Sequence, residues 1–562
     1  MQKLWKGAQP VKQLHIIQYR KIKNVDLKFS NTLNGISGTN GTCKSSLLHI
    51  ISNSFQRVPS NAEWLNDNAC IGTLKSVNSI LNPKVESLTR GDKTYNDPAH
   101  GVNGSLFSAD YYDHTTLNFR RHNSNKNGRY AIKPAYAKGS HDSLPACPVV
   151  YLGIPRLVPY GEYNNDDAIQ RIRKSLPEEY WNEVIEQYKN FTHYDISSIS
   201  VQQMGDIKTR AEFSSDKEGI DSNTISAGED NLFIILTALV SLKYYFKSIV
   251  SSKTVESILL IDELDATLHP AFQLKLLELF RDFSEHYKIQ IIFTTHSMSL
   301  LEDMLNKGDN VLYLVDNITD VILMEDPDIY KIKMHLSSLT HQDIYLDKKI
   351  PIFTEDEEAR TIIDALLDHF EETKPEFRGC KRFFYMPNVN FGGDNLAKMF
   401  KDSKLLRMTM RSICILDGDK NTDLTSGILT LPGRNPSKEG SANLSPEKLL
   451  FEYAALLYDT DDMFWKDSIV VGKGYSKNIY IERISSRISS FQKEVSEGTA
   501  HQKEREFNKN LFNQEAEFFS MLLKHWINND ANKAEIEKFY GNLKILFRRM
   551  AQLNDINPNE WK

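Results

Sequence analysis

The sequence predicts an α/β protein built on a parallel sheet, with a β-rich insertion, a second α/β region and a helical C-terminus. Three stretches carry that expectation. "GISGTNGTCKSSLLHI" (Gly35–Ile50) reads as strand end, tight loop and helix. "ESILLIDE" (Glu256–Glu263) is a continuous apolar strand ending in two carboxylates, and the amphipathic "PAFQLKLLELFRDFSEHY" follows it. "IQIIFTTHS" (Ile289–Ser297) is another buried strand. Apolar strands alternating with helices are the pattern of a helix-covered parallel sheet. The expected regions are 1–345, with the insertion at about 82–143, then 346–470 and 471–562.

The bulk numbers agree. At 562 residues the chain exceeds one ordinary core, so two or three domains are expected. Hydrophobic content of 40% and charged content of 25% are those of a globular protein. The net charge of -6 advertises no overall field for nucleic acid, although a local basic groove is compatible with it. The longest apolar run, Leu232–Val240, is far shorter than a membrane span of roughly 20 residues. The N-terminus lacks a signal-peptide core, so no membrane partner is expected. Five scattered cysteines (Cys43, Cys70, Cys147, Cys380 and Cys414) have no metal-ligand spacing. They point to a reducing, cytoplasmic setting.

Taken in order, Lys12–Ser30 alternates as half-buried strands do. The loop follows, then "KSSLLHIISNSF" with helical spacing. Asn82–Ser143 holds short strand patterns broken by polar turns. "PVVYLGI" (Pro148–Ile154) is a buried strand. "DDAIQRIRKSLPEEYWNEVIEQYKNF" reads as helices broken at Pro177, and no heptad pattern is sustained. A helix starts at Ser226. Near Lys348 a second strand–acidic turn–helix begins, "RSICILDGDKN" adds a strand and acidic turn, and Ser485–Lys562 is helical.

The loop matches a phosphate-binding pattern except at Cys43, where glycine is expected. Such loops aim backbone N–H groups and a helix N-terminus at phosphates. Lys44 would reach the β/γ-phosphates and the Ser45 hydroxyl would ligate Mg²⁺. Cysteine carries a Cβ and is expected there only with negative φ. Asp262 and Glu263 have the form of a Walker B pair, one holding Mg²⁺ and the other orienting water, or of two solvated strand-end carboxylates. Ser226-x-Gly228 opens a helix, as a phosphate donor or as a cap. His296 ends a strand, where an imidazole meets a γ-phosphate or serves structure alone.

In order and spacing, these four motifs resemble the ATP-binding-cassette ATPases, in the soluble branch near the chromosome-maintenance and recombination ATPases. The resemblance covers roughly Gln13–Val315. It implies ATP bound through Gly38, Asn40, Gly41, Cys43, Lys44, Ser45 and Ser46, with Mg²⁺ on Ser45 and Asp262. It implies Glu263 as hydrolytic residue and His296 as switch histidine. Ser226 and Gly228 would cover the ATP of another subunit, in a head-to-tail homodimer or higher oligomer. "LDATLHP" after Glu263 looks like the soluble defence and repair ATPases.

A second constellation is acidic. Glu355 follows "IPIF", and Asp417 and Asp419 follow "ICIL". A Glu on one strand end and Asp-x-Asp on a later one resembles the Toprim domain, in which clustered carboxylates hold Mg²⁺. Glycine usually follows that Glu, and here Asp356 does. Glu447 is either a further carboxylate or a helix start, and Lys524 is one of many candidates for an active-site lysine. ATPase followed by Toprim resembles the overcoming-lysogenisation-defect nucleases and the Gabija and Septu anti-phage proteins. "YLGIPRLVPYGE" and "TEDEEA" look most like the Septu ATPases, including retron-associated ones. That implies a partner nuclease of HNH type and, for retrons, a reverse transcriptase with its DNA–RNA product. Alternatives are an autonomous Toprim endonuclease, a regulatory scaffold and a DNA-repair ATPase; the missing coiled coil speaks against the last. In "FRRHNSNKNGRY", Arg120, Arg121, Lys126 and Arg129 with Phe119 and Tyr130 would grip nucleic acid, or form a solvated hairpin tip.

Overall fold

The computed structural model describes residues 10–88, 97–112, 115–123, 130–136, 143–158, 169–171, 176–205, 207–250, 253–406, 410–433 and 444–562. The chain divides into two compact units, Met1–Ser338 and Leu339–Lys562. Among the described residues, no helix is long and apolar enough to cross a membrane.

The strands of the first unit are β1 (Val11–Tyr19), β2 (Ile22–Lys28), β3 (Leu33–Gly38), β4 (Ser105–Tyr111), β5 (Thr116–Asn123), β6 (Tyr130–Ala135), β7 (Val149–Leu152), β8 (Ile169–Arg171), β9 (Ile196–Met204), β10 (Lys208–Ser215), β11 (Ser257–Ile261), β12 (Ile289–Thr294), β13 (Asn310–Asp316) and β14 (Val321–Leu323). Eleven of them form one sheet in the order β6-β5-β4-β1-β2-β14-β13-β3-β12-β11-β7. From β13 to β7 neighbouring strands are parallel. There β3, β7, β11 and β12 are buried along their whole length. Burial on both faces is why they read as unbroken apolar runs. The ends of β3, β7, β11 and β12 therefore share one edge, where an open α/β sheet places its ligands.

The Asn82–Ser143 strands are no separate layer. β4 pairs antiparallel with β1, with Leu14 opposite Ala109, and β5 and β6 continue from it. The expected helix before Pro177 is corrected. Among the described residues, helix forms after the proline, at Glu178–Thr192, whereas Ile169–Arg171 pairs with Gln202–Met204 of β9. A neighbouring strand edge supplies the backbone partners that the local pattern alone would have placed in a helix. β8, β9 and β10 make a three-stranded sheet.

In the second unit β15 (Ile350–Thr354), β16 (Phe384–Tyr385), β17 (Ile413–Leu416) and β18 (Ile428–Thr430) form an all-parallel sheet, ordered β16-β15-β17-β18. The Glu357–Thr373 helix leaves the end of β15. The C-terminal helices join the same apolar core: Trp526 and Phe547 cluster with Phe370 and Leu416.

A buried ion pair fastens the three-stranded sheet to the Ala227–Lys247 helix. Lys208 opens β10 and pairs with Asp230, and their side chains are 1% and 9% exposed. Lys208→Met would strand the Asp230 carboxylate and cost about 3–5 kcal/mol, whereas the double variant with Asp230→Leu should regain much of that. Urea unfolding of the two variants measures both.

Candidate functional site

At the end of β3, Gly38 turns with φ +147°, where a Cβ would collide with the Leu314 carbonyl oxygen. The loop then enters the Lys44–Asn53 helix, whose first turn holds no acidic residue. Its N-terminal N–H groups are thus left for an anion. Lys44 is buried, and its Nζ donates to the carbonyl oxygens of Gly38 (2.9 Å) and Thr39 (3.1 Å). Burial lowers its pKa, opposed by the nearby Asp262 and Glu263. Asn40 and Gly41 are exposed. Ser46 is buried, and its hydroxyl accepts from Arg20 Nη1 at 2.9 Å.

Cys43 overturns the expectation of negative φ. It sits at φ 65°, ψ 26°, the left-handed conformation that glycine adopts freely. The loop keeps its shape, and the cysteine bears the steric cost.

Ser45 Oγ donates to Asp262 Oδ1 at 3.0 Å, and Thr294 Oγ1 donates to the same oxygen at 2.7 Å. Thr294 Oγ1 also accepts the Glu263 N–H at 2.7 Å. Glu263 is half-buried with φ 50°. The His296 N–H donates to the Asp265 carboxylate at 3.2 Å, while burial and the Lys44 charge lower the imidazole pKa. The residues predicted from β3, β11 and β12 thus gather at one sheet edge.

Ser226 caps the Ala227–Lys247 helix in a capping box with Glu229, so its cap reading holds. Its side chain is exposed. A Cβ on Gly228 would collide with the Thr267 carbonyl oxygen, so this helix start lies directly on the loop that follows Glu263.

Arg156 joins these parts, and sequence reading did not single it out. Its guanidinium is buried and donates to the carbonyl oxygens of Leu152 (3.1 Å), Gly153 (3.0 Å), Asp262 (2.7 Å) and Glu263 (2.9 Å), and to Asn231 Oδ1 (2.9 Å). Asn231 Nδ2 in turn reaches Ala266 O at 3.2 Å. The only signal in the sequence was one arginine just past a buried strand. His49, on the loop's helix, is also newly placed: its Nε2 lies 3.1 Å from the Tyr151 hydroxyl, and burial pushes its pKa down to about 4.

In the second unit, one oxygen from each of Glu355, Asp417 and Asp419 lies within 4.8 Å of the others. Burial, then the neighbouring carboxylates, pushes Asp417 up to about 8. Its Oδ1 is buried without a hydrogen-bond partner, and its N–H donates to Glu355 Oε1 at 3.2 Å. Gly393, at a helix start, is a further requirement: a Cβ there would lie 2.5 Å from Glu355 Oε1. Asp356, in the place of the expected glycine, instead caps the Glu357–Thr373 helix. It forms a second trio with Glu358 and Glu447. Lys509 pairs with two members of that trio, Asp356 and, at 3.2 Å, Glu358, while burial raises the pKa of Glu447. Arg505 lies 3.5 Å from Asp356 and 3.7 Å from Glu355. Lys524 is exposed on the Ala516–Asn528 helix and lines no part of this cavity; Lys420 and Lys448 do.

The basic cluster loses its nucleic-acid reading at two positions. Phe119 is fully buried and stacks on Phe107, with centroids 4.6 Å apart. Arg121 pairs with Asp97 and donates to Val102 O at 3.2 Å. Arg120 is exposed, and Lys126 and Arg129 lie outside the described residues.

Residues 160–302 match the family model described as "AAA domain, putative AbiEii toxin, Type IV TA system". That stretch carries an AAA-type domain. It contains Ser226, Gly228, Asp262, Glu263 and His296, and the Gly38–Ser46 loop precedes it. No curated protein matches the chain. Among solved structures, the SMC head domain from Thermotoga maritima is 13% identical, covering 57% of this chain and 100% of that one, with a TM-score of 0.31. An SmcHead bound to the C-winged helix domain of ScpA is 13% identical over 56% of this chain and 97% of that one, TM-score 0.32. The recombination mediator protein RecF bound to ATPrS is 12% identical over 57% and 99%, TM-score 0.30.

Cys43→Gly should relieve a left-handed cost of about 1–2 kcal/mol and return about 0.4–1 kcal/mol to unfolded-chain entropy. The expected result is a gain of up to about 1 kcal/mol in urea unfolding, with a loss for the β-branched Cys43→Val. His49 sets a pH dependence. The unfolded imidazole takes up a proton below about 6.5, and the folded one only near 4. Stability is therefore whole above pH 6.5 and falls toward pH 4, by up to about 3 kcal/mol. His49→Phe should lose less than wild type between pH 7 and 4.5, read by urea unfolding at each pH.

Proposed function

We propose that the chain binds and hydrolyses ATP in its first unit and that its ATP state governs nuclease action on nucleic acid. The observation that carries this reading is the 3.0 Å contact of Ser45 with Asp262, beside the buried Lys44. A hydroxyl and a carboxylate oxygen so close are a fitting pair for Mg²⁺. Lys44 would exchange its two carbonyl partners for β/γ-phosphate oxygens. Glu263 would hold the attacking water, and His296 would meet the γ-phosphate. Exposed Ser226, with Gly228, would cover the ATP of a second copy, so closure of a head-to-tail dimer would follow ATP binding.

In the second unit we assign a Toprim-like site to Glu355, Asp417 and Asp419. The unpartnered Asp417 Oδ1, and the burial and neighbouring carboxylates that raise its pKa, support a divalent cation there. Bound at either site, Mg²⁺ would neutralise phosphoryl oxygens and, at the second, lower the pKa of a water nucleophile. Asp417 and Asp419 would fix the cation, and Glu355 would orient the water. Physiologically we place the chain in anti-phage defence of the Septu or retron kind; the match to an AbiEii-type AAA domain supports a defence or toxin–antitoxin setting. One observation favours a second reading, in which the unit docks an HNH-type partner nuclease: Arg505 already brings positive charge to Glu355 and Asp356.

The test is to incubate purified protein with plasmid and RNA, in Mg²⁺ and Mn²⁺, with and without ATP. Cleavage lost in Asp417→Asn is expected. No cleavage under any condition, with ATP affinity weakened about tenfold or more in Lys44→Ala, would instead favour the partner-nuclease reading.

A further inference from the structure

Two cavities of the second unit adjoin. One, of about 370 Å³, is lined by Glu355, Asp417 and Asp419. The other, of about 460 Å³, has aromatic walls from Phe451, Tyr480, Phe491 and Phe507. Lys448, Glu504 and Asn508 line both. Asn508 is only 8% exposed, and its amide meets no protein partner among the described residues. That amide is not sealed from solvent, so its donor and acceptor stand open to a ligand in the two cavities. Lys448 and Glu504 pair at 2.8 Å across the neck, with side chains 46% and 60% exposed. Such an exposed pair holds weakly and yields readily to a phosphate. A π-helical turn, Ile481–Ser485, follows Tyr480 and contributes Ser485 to the wall. Turns of that kind recur at functional sites.

We propose that the aromatic cavity takes one unpaired nucleobase next to the phosphate held at the carboxylates. The aromatic walls would meet the base's face, Asn508 its polar edge, and Lys448 the linking phosphate. A base can enter only by leaving its stack, so the unit acts on single-stranded or frayed DNA or RNA in preference to intact duplex. This rests on reading Glu355, Asp417 and Asp419 as the site that cleaves nucleic acid.

The test uses the full chain and fluorescein-labelled 12-mers of DNA and RNA, single-stranded and duplex, with anisotropy as readout. Mn²⁺ titration calorimetry runs alongside. Asn508→Leu removes the amide at similar volume, and Ala455→Trp fills the cavity from an exposed wall position. Preferred binding of single strands, weakened about tenfold by each variant with Mn²⁺ binding unchanged, is the expected result. Equal binding of single strand and duplex, or variants that bind single strands as wild type does, overturns the base subsite. Failure of the carboxylate reading is separate: wild type would then bind no Mn²⁺, or Asp417→Asn would bind it as well as wild type.

Discussion

Asp262 is a carboxylate taken out of water at the end of an apolar strand, and much of the first unit is arranged around satisfying it. A buried carboxylate must be hydrogen-bonded or it destabilises the fold. Its donors come from two different elements, Ser45 after β3 and Thr294 on β12. Its own carbonyl is held by Arg156, which follows β7. One buried group thereby ties together the ends of four parallel strands. Arg156, equally buried, spends its remaining donors on Glu263, on the backbone after β7 and on Asn231 of the Ala227–Lys247 helix. The Ser226 cap and the Glu263 turn are thus positioned by the same guanidinium. A displacement of the Gly38–Cys43 loop would reach the helix start through very few bonds.

The second unit treats its carboxylates differently. Of two adjacent trios, the one containing Asp356, Glu358 and Glu447 has two of its carboxylates paired with Lys509 within the chain. The one containing Glu355, Asp417 and Asp419 keeps an unpartnered buried oxygen and a raised Asp417 pKa. Like charges held this close favour a proton or a cation between them. The distribution of Lys and Arg, more than the number of acids, separates a structural cluster from a candidate metal site.

Legibility followed the range of the interactions. The loop, Asp262, Glu263 and His296 were readable because each lies at the end of a strand whose apolar run is continuous, and strand–turn–helix order is local. Glu355 and Asp417 were readable for the same reason. The roles of Arg156, Asn231 and His49 were not, because the partners that tie them to other elements lie tens of residues away and none belongs to a periodic pattern. The basic stretch around Arg120 stayed between two readings because composition does not tell a stacking ring from a core ring, and Phe119 proved to be core. The Ile169–Arg171 segment misled because its partners come from β9, which follows an intervening helix.

By itself, then, the sequence determined the alternation of strands and helices, the residue types at the ends of strands, and the absence of a long apolar span. Those are set by hydrophobic period and turn chemistry within a few residues. Only the tertiary structure decided that Cys43 adopts a left-handed backbone, that the Asn82–Ser143 strands extend the main sheet, and that Lys509 pairs with two carboxylates of one trio while Asp417 of the other keeps an unpartnered oxygen. The backbone angle of a residue, the edge a strand pairs with and the charge facing an acid all depend on what the rest of the chain packs around it. None of the three is carried by neighbours in sequence.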